Sequence, residues 1–531
     1  MDRPVVERRH RSPHPLTLAL ALASAFAAAC TGGRDAGAKR GLGRPVYEGQ
    51  VRALKGSADG AWLAFLRECA DVKGQYLPPQ TASCELRVVS AAGGEPRRVA
   101  SAVTTLPHGF AWAPAGDLLA ALGDYDYLAG AGTLYVAHGG GEPAKVADGV
   151  TFTGFTAGGD RVAAIAGGRL LWVNPGENPT WLPGADGLSS FELLARDGAP
   201  AAGTPAALVR RAVRSGGTLL AVRAASEPPA RVAEKTGEYA FAPGGPAYAF
   251  TVQAGNGYDL MLAAGAPPVR VARQVHAFAF SRDGGALAYV AGAEPGRQGD
   301  LYVSALGKPG ALCGREVGEF RWAARAPRIA WLEQYDPRVR AGILGAGGPG
   351  LSPRTFGTNV SEFEISADGA HVAMMQHTTR GGYSVDLAVA RLDAPKGTPA
   401  ETVAQGVFGF AFSPDARWLY YRTRCARNGE ACDLERVPAG GLAGGKKPEQ
   451  VAQGVKSFEF DPRDPERLLV TWQRADMVAL DVAVWEKGKL VSIDTAVLPG
   501  SAHFLGPDSR RVVYAVAHPK RAGVYVAELP R

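Results

Sequence analysis

Beyond its first thirty residues, this 531-residue chain has no apolar run long enough to cross a membrane as a helix, which takes about 20 residues. It also lacks the short motifs of common catalytic sites: a Gly-x-Ser-x-Gly elbow, a His-Glu-x-x-His helix and an EF-hand loop. No run of Lys and Arg is interleaved with aromatic residues, and the net charge of +7 is spread over a large chain. These absences argue against a nucleic-acid partner, and no cofactor or metal is expected.

The first thirty residues have the layout of an export signal. A basic leader with Arg8 and Arg9 precedes an apolar run from Leu16 to Ala29, and Cys30 follows directly. Small residues before a cysteine resemble the bacterial lipobox, in which cleavage leaves a diacylated cysteine at the new N-terminus. Here Ala27 stands where Leu is usual. We predict a signal peptide over residues 1–29 and lipidation at Cys30, with ordinary cleavage at a nearby Ala as the alternative.

The segment after Cys30 is rich in Gly, Arg and Ala and has no apolar period. Such a composition predicts a flexible tether, here over residues 30–43. The rest of the chain is then an exported body, lipid-anchored to a bacterial membrane. We expect the outer membrane, with the body facing the periplasm or the cell surface.

A phrase of the form aromatic-x-aromatic followed by Ser-Pro-Asp-Gly, or a variant of it, returns about every 45 residues. Clear copies begin at Phe278, Phe410 and Phe458. Short alternating segments of the Leu-Tyr-Val and Val-Ala-x-Gly-Val kinds complete each unit. A period of this size, built from short strands and tight turns, is typical of a β-propeller, whose blades have four strands, A to D.

The turn between strands A and B marks each unit. These turns fall near Asp59, Gly116, Asp160, Asp197, Gly244, Asp283, Arg325, Asp368, Asp415, Asp464 and Asp508. The sequence therefore predicts an all-β fold of about eleven four-stranded blades. Because one propeller typically has 4–8 blades, we predict tandem β-propellers, over residues 44–266 (about five blades) and 267–531 (about six). We interpret the recurring Asp residues as turn formers rather than as metal or substrate ligands.

The two ends of the body complement one another. It opens on a D-like strand, Arg44 to Glu48, and ends on a C-like strand, Val524 to Leu529. A propeller that does not join its ends leaves exposed strand edges, which promote aggregation. We therefore predict that the N-terminal strand completes a terminal blade.

Five cysteines follow Cys30. Cys69 and Cys84 bracket the B–C loop of the first unit, and Cys425 and Cys432 bracket the same loop of a late unit. In an oxidising compartment, these positions predict two local disulfides. A zinc site is the alternative, but no His lies within a few residues of either pair. Cys313 is left as a partly buried free thiol.

Four further features are candidates for binding or catalysis. His276 and His503 begin A strands, near the axis of a propeller. The acidic-aromatic segments Asp124 to Tyr127 and Glu333 to Asp336 end B strands, where loops reach one face and could contact a protein or a glycan.

The Ser-Pro-Asp-Gly turns with their Leu-Tyr-Val strands resemble the TolB-type family of WD-repeat-like propellers over almost all of residues 44–531. In that family the repeats occur in periplasmic partners of cell-envelope complexes and as the non-catalytic front end of serine peptidases. The resemblance implies a non-enzymatic binding scaffold whose partners are envelope proteins or cell-wall glycan and whose membrane contact is the lipid anchor alone. The alternative is an enzyme, such as a lyase, lactonase or glycan hydrolase, with a site in the central funnel.

Overall fold

The structure, a computed structural model, describes residues 41–74, 77–78, 81–174, 176–194, 206–211, 216–265, 267–292, 298–377, 385–426, 431–442, 447–473 and 479–530. The predicted signal peptide, Cys30 and most of the predicted tether lie outside these residues. Within the described residues, the regular elements are all β-strands, and these strands form seven sheets. No helix of the described part of the chain is long and apolar enough to span a membrane.

The strands are short and follow one another closely along the chain. The first are β1 (Arg44–Glu48), β2 (Ala53–Gly56), β3 (Trp62–Asp71), β4 (Ala82–Ser90), β5 (Arg97–Thr104), β6 (Phe110–Trp112), β7 (Leu118–Asp126), β8 (Ala131–His138), β9 (Ala144–Phe155), β10 (Val162–Ala166), β11 (Arg169–Val173), β12 (Thr180–Trp181), β13 (Leu188–Leu193), β14 (Ala207–Arg211), β15 (Gly217–Val222), β16 (Ala230–Phe241), β17 (Tyr248–Ala254), β18 (Gly257–Ala263) and β19 (Val269–Ala272).

The second half continues in the same way. Its strands are β20 (Val275–Phe280), β21 (Ala286–Ala291), β22 (Asp300–Ala305), β23 (Ala311–Gly314), β24 (Glu319–Trp322), β25 (Ile329–Asp336), β26 (Ala341–Gly348), β27 (Leu351–Ile365), β28 (His371–His377), β29 (Val385–Arg391), β30 (Glu401–Ala404), β31 (Phe410–Phe412), β32 (Trp418–Thr423), β33 (Cys432–Pro438), β34 (Glu449–Val455), β35 (Ser457–Phe460), β36 (Arg467–Gln473), β37 (Leu480–Glu486), β38 (Lys489–Val497), β39 (His503–Leu505), β40 (Arg511–Val516) and β41 (Gly523–Glu528).

Consecutive strands pair into four-stranded antiparallel units. β2–β5, β20–β23 and β31–β34 form separate sheets of this kind. Two units share each of three seven-stranded sheets, because the long strands β9, β16 and β27 each serve as strand D of one unit and strand A of the next. The last two units share an eight-stranded sheet that includes β1, and in it β38 pairs with β40. This chain of four-stranded units is the blade arrangement of a β-propeller, which confirms the predicted all-β propeller class.

The N-terminal strand closes the last blade, as predicted. β1 pairs antiparallel with β41, with Arg44 opposite Val526. The contact begins earlier than the sequence suggested, because the N–H of Leu42 donates to the carbonyl of Ile493 at 2.9 Å and that of Gly43 to the hydroxyl of Tyr514 at 3.1 Å. Leu42 and Gly43, at the end of the predicted tether, therefore already contact the last two blades.

The described residues form eleven hydrophobic clusters. Each cluster joins two blades that are consecutive along the chain, or the first blade and the last. One of them joins the first blade to the last through residues such as Leu63 and Val513. Another spans residue 267, because Leu260 and Phe278 share it. The clusters therefore join blades that follow one another along the chain and also join the first blade to the last, and the division into two propellers at residue 267 stays a prediction.

The recurring Ser and Asp residues hold the A–B turns. Ser281 Oγ donates to Asp283 Oδ1 at 2.5 Å, and the same oxygen accepts the N–H of Gly285 at 3.0 Å. The hydrogen bond from Ser281 helps to hold the pKa of Asp283 below its ordinary value. Three further turns have the Ser–Asp bond: Ser57–Asp59, Ser366–Asp368 and Ser413–Asp415. The interpretation of these Asp residues as turn formers is confirmed, while Asp197 lies outside the described residues.

Candidate binding surface

The antiparallel topology gives the molecule two different faces. In the described part of the chain, the strand ends that lead into the B–C and D–A loops lie at one end of the blades, which we call the B–C face, and those that lead into the A–B and C–D turns lie at the other. Both predicted disulfide loops and both acidic-aromatic segments connect strands B and C. The topology therefore brings these sequence features to the same face.

Both predicted disulfides are present. Cys69 pairs with Cys84 across β3 and β4, with their Cα atoms 4.1 Å apart, and Cys425 pairs with Cys432 at a Cα separation of 3.9 Å. Cys313 is unpaired and partly buried, and its burial raises the thiol pKa to about 11. Because each disulfide closes a B–C loop, it restricts the freedom of that loop on the B–C face.

The β7–β8 hairpin shows how an acidic-aromatic segment is held. A register shift near Asp124, which has a φ of 47°, makes a bulge that redirects the strand end. The hydroxyl of Tyr125 then lies 2.9 Å from Nε2 of His108 in the preceding D–A loop. The hydroxyl of Tyr127 donates to the carbonyl of Ala82 in the first blade at 2.8 Å. Two blades and three loops are thereby joined at this point.

The tip of the same hairpin is stabilised by one carboxylate. Asp126 Oδ1 accepts the N–H groups of Leu128 at 2.8 Å and Ala129 at 3.1 Å. The side chain of Leu128 is nevertheless fully exposed, at 100% of its accessible surface. The backbone of the tip is ordered, while its apolar side chain has no covering contact.

The β25–β26 hairpin repeats this construction 210 positions later. Gln334 has a φ of 49°, and Asp336 Oδ1 accepts the N–H of Arg338 at 2.8 Å. The ring of Tyr335 lies over Gly318, where a Cβ would come within 2.3 Å of Tyr335 Cδ1. The matching residues are Phe110/Phe320, Trp112/Trp322, Leu122/Leu332, Tyr125/Tyr335, Asp126/Asp336, Ala131/Ala341, Gly132/Gly342 and Leu134/Leu344. This exact spacing was the signal that could have revealed the shared hairpin from the sequence.

On several A strands, a charged residue at the position that corresponds to the middle of the aromatic-x-aromatic phrase bridges to the next blade. Lys55 Nζ donates to the carbonyl of Phe110 at 2.8 Å, whereas Glu364 Oε2 accepts the N–H of Phe412 at 3.3 Å. A cationic side chain at this position therefore binds a backbone carbonyl of the neighbouring A strand, and an anionic side chain binds a backbone N–H. Two more bridges follow this rule: Arg321 to the Phe363 carbonyl and Glu192 to the Phe241 N–H.

Among these bridging residues, Glu364 has a strongly shifted carboxyl pKa. Its burial raises the carboxyl pKa to about 7, against the opposing effects of the Phe412 N–H and the charge of Arg321. The sequence did not point to Glu364, because the residue type at this position varies between blades. Its burial depends on how the blades pack.

The two predicted histidines lie on inner strands of different blades. His503, on β39, has Nδ1 at 3.7 Å from Oε2 of Glu459 and Nε2 at 2.9 Å from the Gly500 carbonyl oxygen. His276, on β20, is exposed. Across the described ranges, no three His, Cys, Asp or Glu side chains group in a way that could hold a metal ion.

Comparison with known proteins gives distant structural likenesses. No protein-family profile and no curated protein matches the chain. A eukaryotic initiation factor aligns with 69% of this chain and 93% of its own, at 13% identity and a TM-score of 0.39. The tricorn protease aligns with 90% and 57%, at 11% identity and a TM-score of 0.32. The dihydro-heme d1 dehydrogenase NirN in complex with DHE aligns with 60% and 70%, at 15% identity and a TM-score of 0.32.

Proposed function

We propose that this protein is a non-enzymatic binding scaffold of the bacterial cell envelope, similar in role to TolB-type propellers, and that it holds envelope proteins on its B–C face. The observation that carries the proposal is the fixing of several loops on that face. Two loops are closed by disulfides, and the β7–β8 hairpin is bonded to a D–A loop and to the neighbouring blade.

Fixed loops favour binding because a partner does not have to order them on contact, and that ordering costs free energy. A rigid framework that presents many loops at one end is also a common arrangement for recognition surfaces. The B–C face further carries exposed aromatic side chains, among them Phe408 at 53% and Tyr258 at 40% exposure. Aromatic residues contribute large contact areas to protein interfaces.

The proposal includes a lipid anchor at Cys30 and an outer-membrane location. A diacylated cysteine would hold the body at a membrane surface, since a single acyl chain binds only marginally and stable anchoring takes more than one. Residue 41 is the first described residue and already lies beside the last two blades, so about ten residues separate Cys30 from the body. At about 3.3 Å per extended residue, that segment could reach about 35 Å at most.

Site-specific photocrosslinking tests the proposed face. A photoreactive amino acid would replace Phe408 or Tyr258 on the B–C face, or Leu351 or Leu490 near the C–D turns of the opposite face. The latter two, at 39% and 45% exposure, are matched controls. In intact cells, the first two positions should crosslink to defined envelope proteins far more than the controls. Crosslinks from the controls alone would contradict the proposal.

A second candidate is an enzyme with a site in the central funnel, such as a lyase, lactonase or glycan hydrolase. The pair of His503 and Glu459, 3.7 Å apart on neighbouring inner strands, is the observation that favours it. A His–carboxylate pair can act in proton transfer. Loss of a measured turnover in His503→Gln, with unchanged crosslinking at the B–C face, would support this second candidate over the scaffold.

A further inference from the structure

The end of the β7–β8 hairpin differs from the end of the matching β25–β26 hairpin in its exposed apolar area and in its charge. We call residues Asp124, Tyr125, Asp126, Tyr127 and Leu128 the Leu128 surface. Tyr125 and Asp126 recur as Tyr335 and Asp336, so the construction of the hairpin accounts for them. The remaining three positions, Asp124, Tyr127 and Leu128, are occupied in the copy by Gln334, Pro337 and Arg338. They are the residues whose presence the shared hairpin does not explain.

The Leu128 surface combines apolar area with negative charge. Leu128 is fully exposed, Tyr127 is half-buried beside it, and the carboxylates of Asp124 and Asp126 are exposed around them. Removing such an apolar side chain from water is favourable. A partner that covers Leu128 would therefore gain from the contact, and it would meet two acidic groups at its edge.

The negative charge of the Leu128 surface exceeds the positive charge beside it. The hairpin from Leu118 to His138 contains no Lys or Arg, and partial burial lowers the pKa of His108, which keeps it neutral at pH 7. Lys145, on the adjacent strand, is the nearby cation that attracts Asp124, but its ammonium is paired with Asp148 at 2.9 Å, so Asp124, Asp126 and Asp148 outnumber it. By contrast, the tip of the copy carries Arg338 and Arg340. Charge complementarity thus selects a cationic partner for the first hairpin and not for the second.

We propose that the Leu128 surface docks a cationic polypeptide segment, in which an apolar side chain flanked by Lys or Arg covers Leu128 and Tyr127. This inference rests on the proposed scaffold function and specifies one contact of the B–C face. The hydrogen bonds of Asp126, Tyr127 and Tyr125 already hold the surface in place, so docking does not have to order it.

Fluorescence anisotropy with the mature protein and labelled peptides tests the proposal. The first peptide has a central Leu with three Lys on each side, the second has Ser at the centre, and the third has Glu in place of Lys. The first should bind at least tenfold more tightly than either of the others. Its affinity should fall with added salt, because screening weakens the attraction between exposed charges.

Variants of the protein separate the two contributions. Leu128→Ser changes a fully exposed side chain, so folding is retained, and it should weaken the Leu peptide at least tenfold while changing the Ser peptide less than twofold. Asp124→Asn, an exchange that suits the positive φ of this position, should weaken both Lys peptides and reduce the salt dependence. Val339→Ser on the copied hairpin is the matched control and should leave all affinities unchanged.

Three outcomes would overturn the proposal: equal binding of the Leu and Ser peptides, an unchanged affinity in Leu128→Ser, or binding of a neutral chito-oligosaccharide, lost in Leu128→Ser, without peptide binding. The last would assign the surface to a glycan. Crosslinking of envelope proteins at Phe408 is independent of these peptides. If it persists while the peptide test fails, the scaffold function stands and only the docking assignment falls.

Discussion

The closure of the last blade by β1 predicts a sharp dependence of stability on a few N-terminal residues. Deleting residues 31–40 leaves every described contact in place and should not change the unfolding midpoint. Deleting residues 31–43 removes the bonds of Leu42 and Gly43 to the last two blades and uncovers the buried carboxylate of Asp494. We expect a loss of about 1–2 kcal/mol for two hydrogen bonds.

Deleting residues 31–50 should cost much more. It removes β1, whose Val46 is only 6% exposed and packs in the cluster that joins the first and last blades. It also removes the ladder with β41 and the two bonds from the Arg44 guanidinium to the carbonyls of Ala91 and Ala92, at 2.7 and 2.8 Å. About 2 kcal/mol for Val46 and about 1 kcal/mol for each of several hydrogen bonds give a loss on the order of 5 kcal/mol.

Urea unfolding of the three truncated proteins, with light scattering to follow aggregation at the bare edge of β41, measures these differences. Gly43→Ala is a point variant of the same test, because its Cβ would lie 2.1 Å from the hydroxyl of Tyr514. It should destabilise the full-length protein, whereas an Ala substitution before residue 41 should not. Equal stability after deletion of residues 31–40 and 31–50 would refute the role of β1 in closing the last blade.

Further predictions concern Cys30, the two disulfides, Cys313 and Glu364. Cys30→Ala should move the protein from the membrane to the soluble extracytoplasmic fraction, and a wild-type protein that is already wholly soluble would contradict the anchor. Non-reducing peptide mapping should find Cys69 linked to Cys84 and Cys425 linked to Cys432. Loss of either disulfide should lower the free energy of unfolding by roughly 2–3 kcal/mol at most. A thiol reagent at pH 7 should label Cys313 of the native protein slowly, because the pKa of this thiol is about 11. For Glu364, the folded-state pKa of about 7 exceeds the ordinary 4.5, so its contribution to stability is present below pH 4.5 and is lost as the pH rises to about 7. Between pH 5 and pH 8, the free energy of unfolding of Glu364→Gln, measured in urea relative to the wild type, should therefore rise by roughly 1–3 kcal/mol. The same relative stability at both pH values would contradict this.

The order of the blades could be predicted from the sequence because each blade is built from local interactions. A Ser–Asp turn such as Ser281–Asp283 is made by residues two positions apart, and each disulfide joins neighbouring strands of one hairpin. The pairing of β1 with β41 was also predictable, since a strand with an unpaired edge needs a partner and the two ends of the body supply complementary strands.

Other properties were decided only by the packing of one blade on another. Gly43 belongs by composition to the tether, but it lies against Tyr514, more than 470 positions away. The pKa of Glu364 and the exposure of Leu128 likewise follow from depth and from neighbours in space. The hydrogen bonds of a turn form between residues close in sequence, so the repeated sequence predicts them. Burial and close approach depend on distances between residues far apart in sequence, and these distances exist only after the blades have packed together.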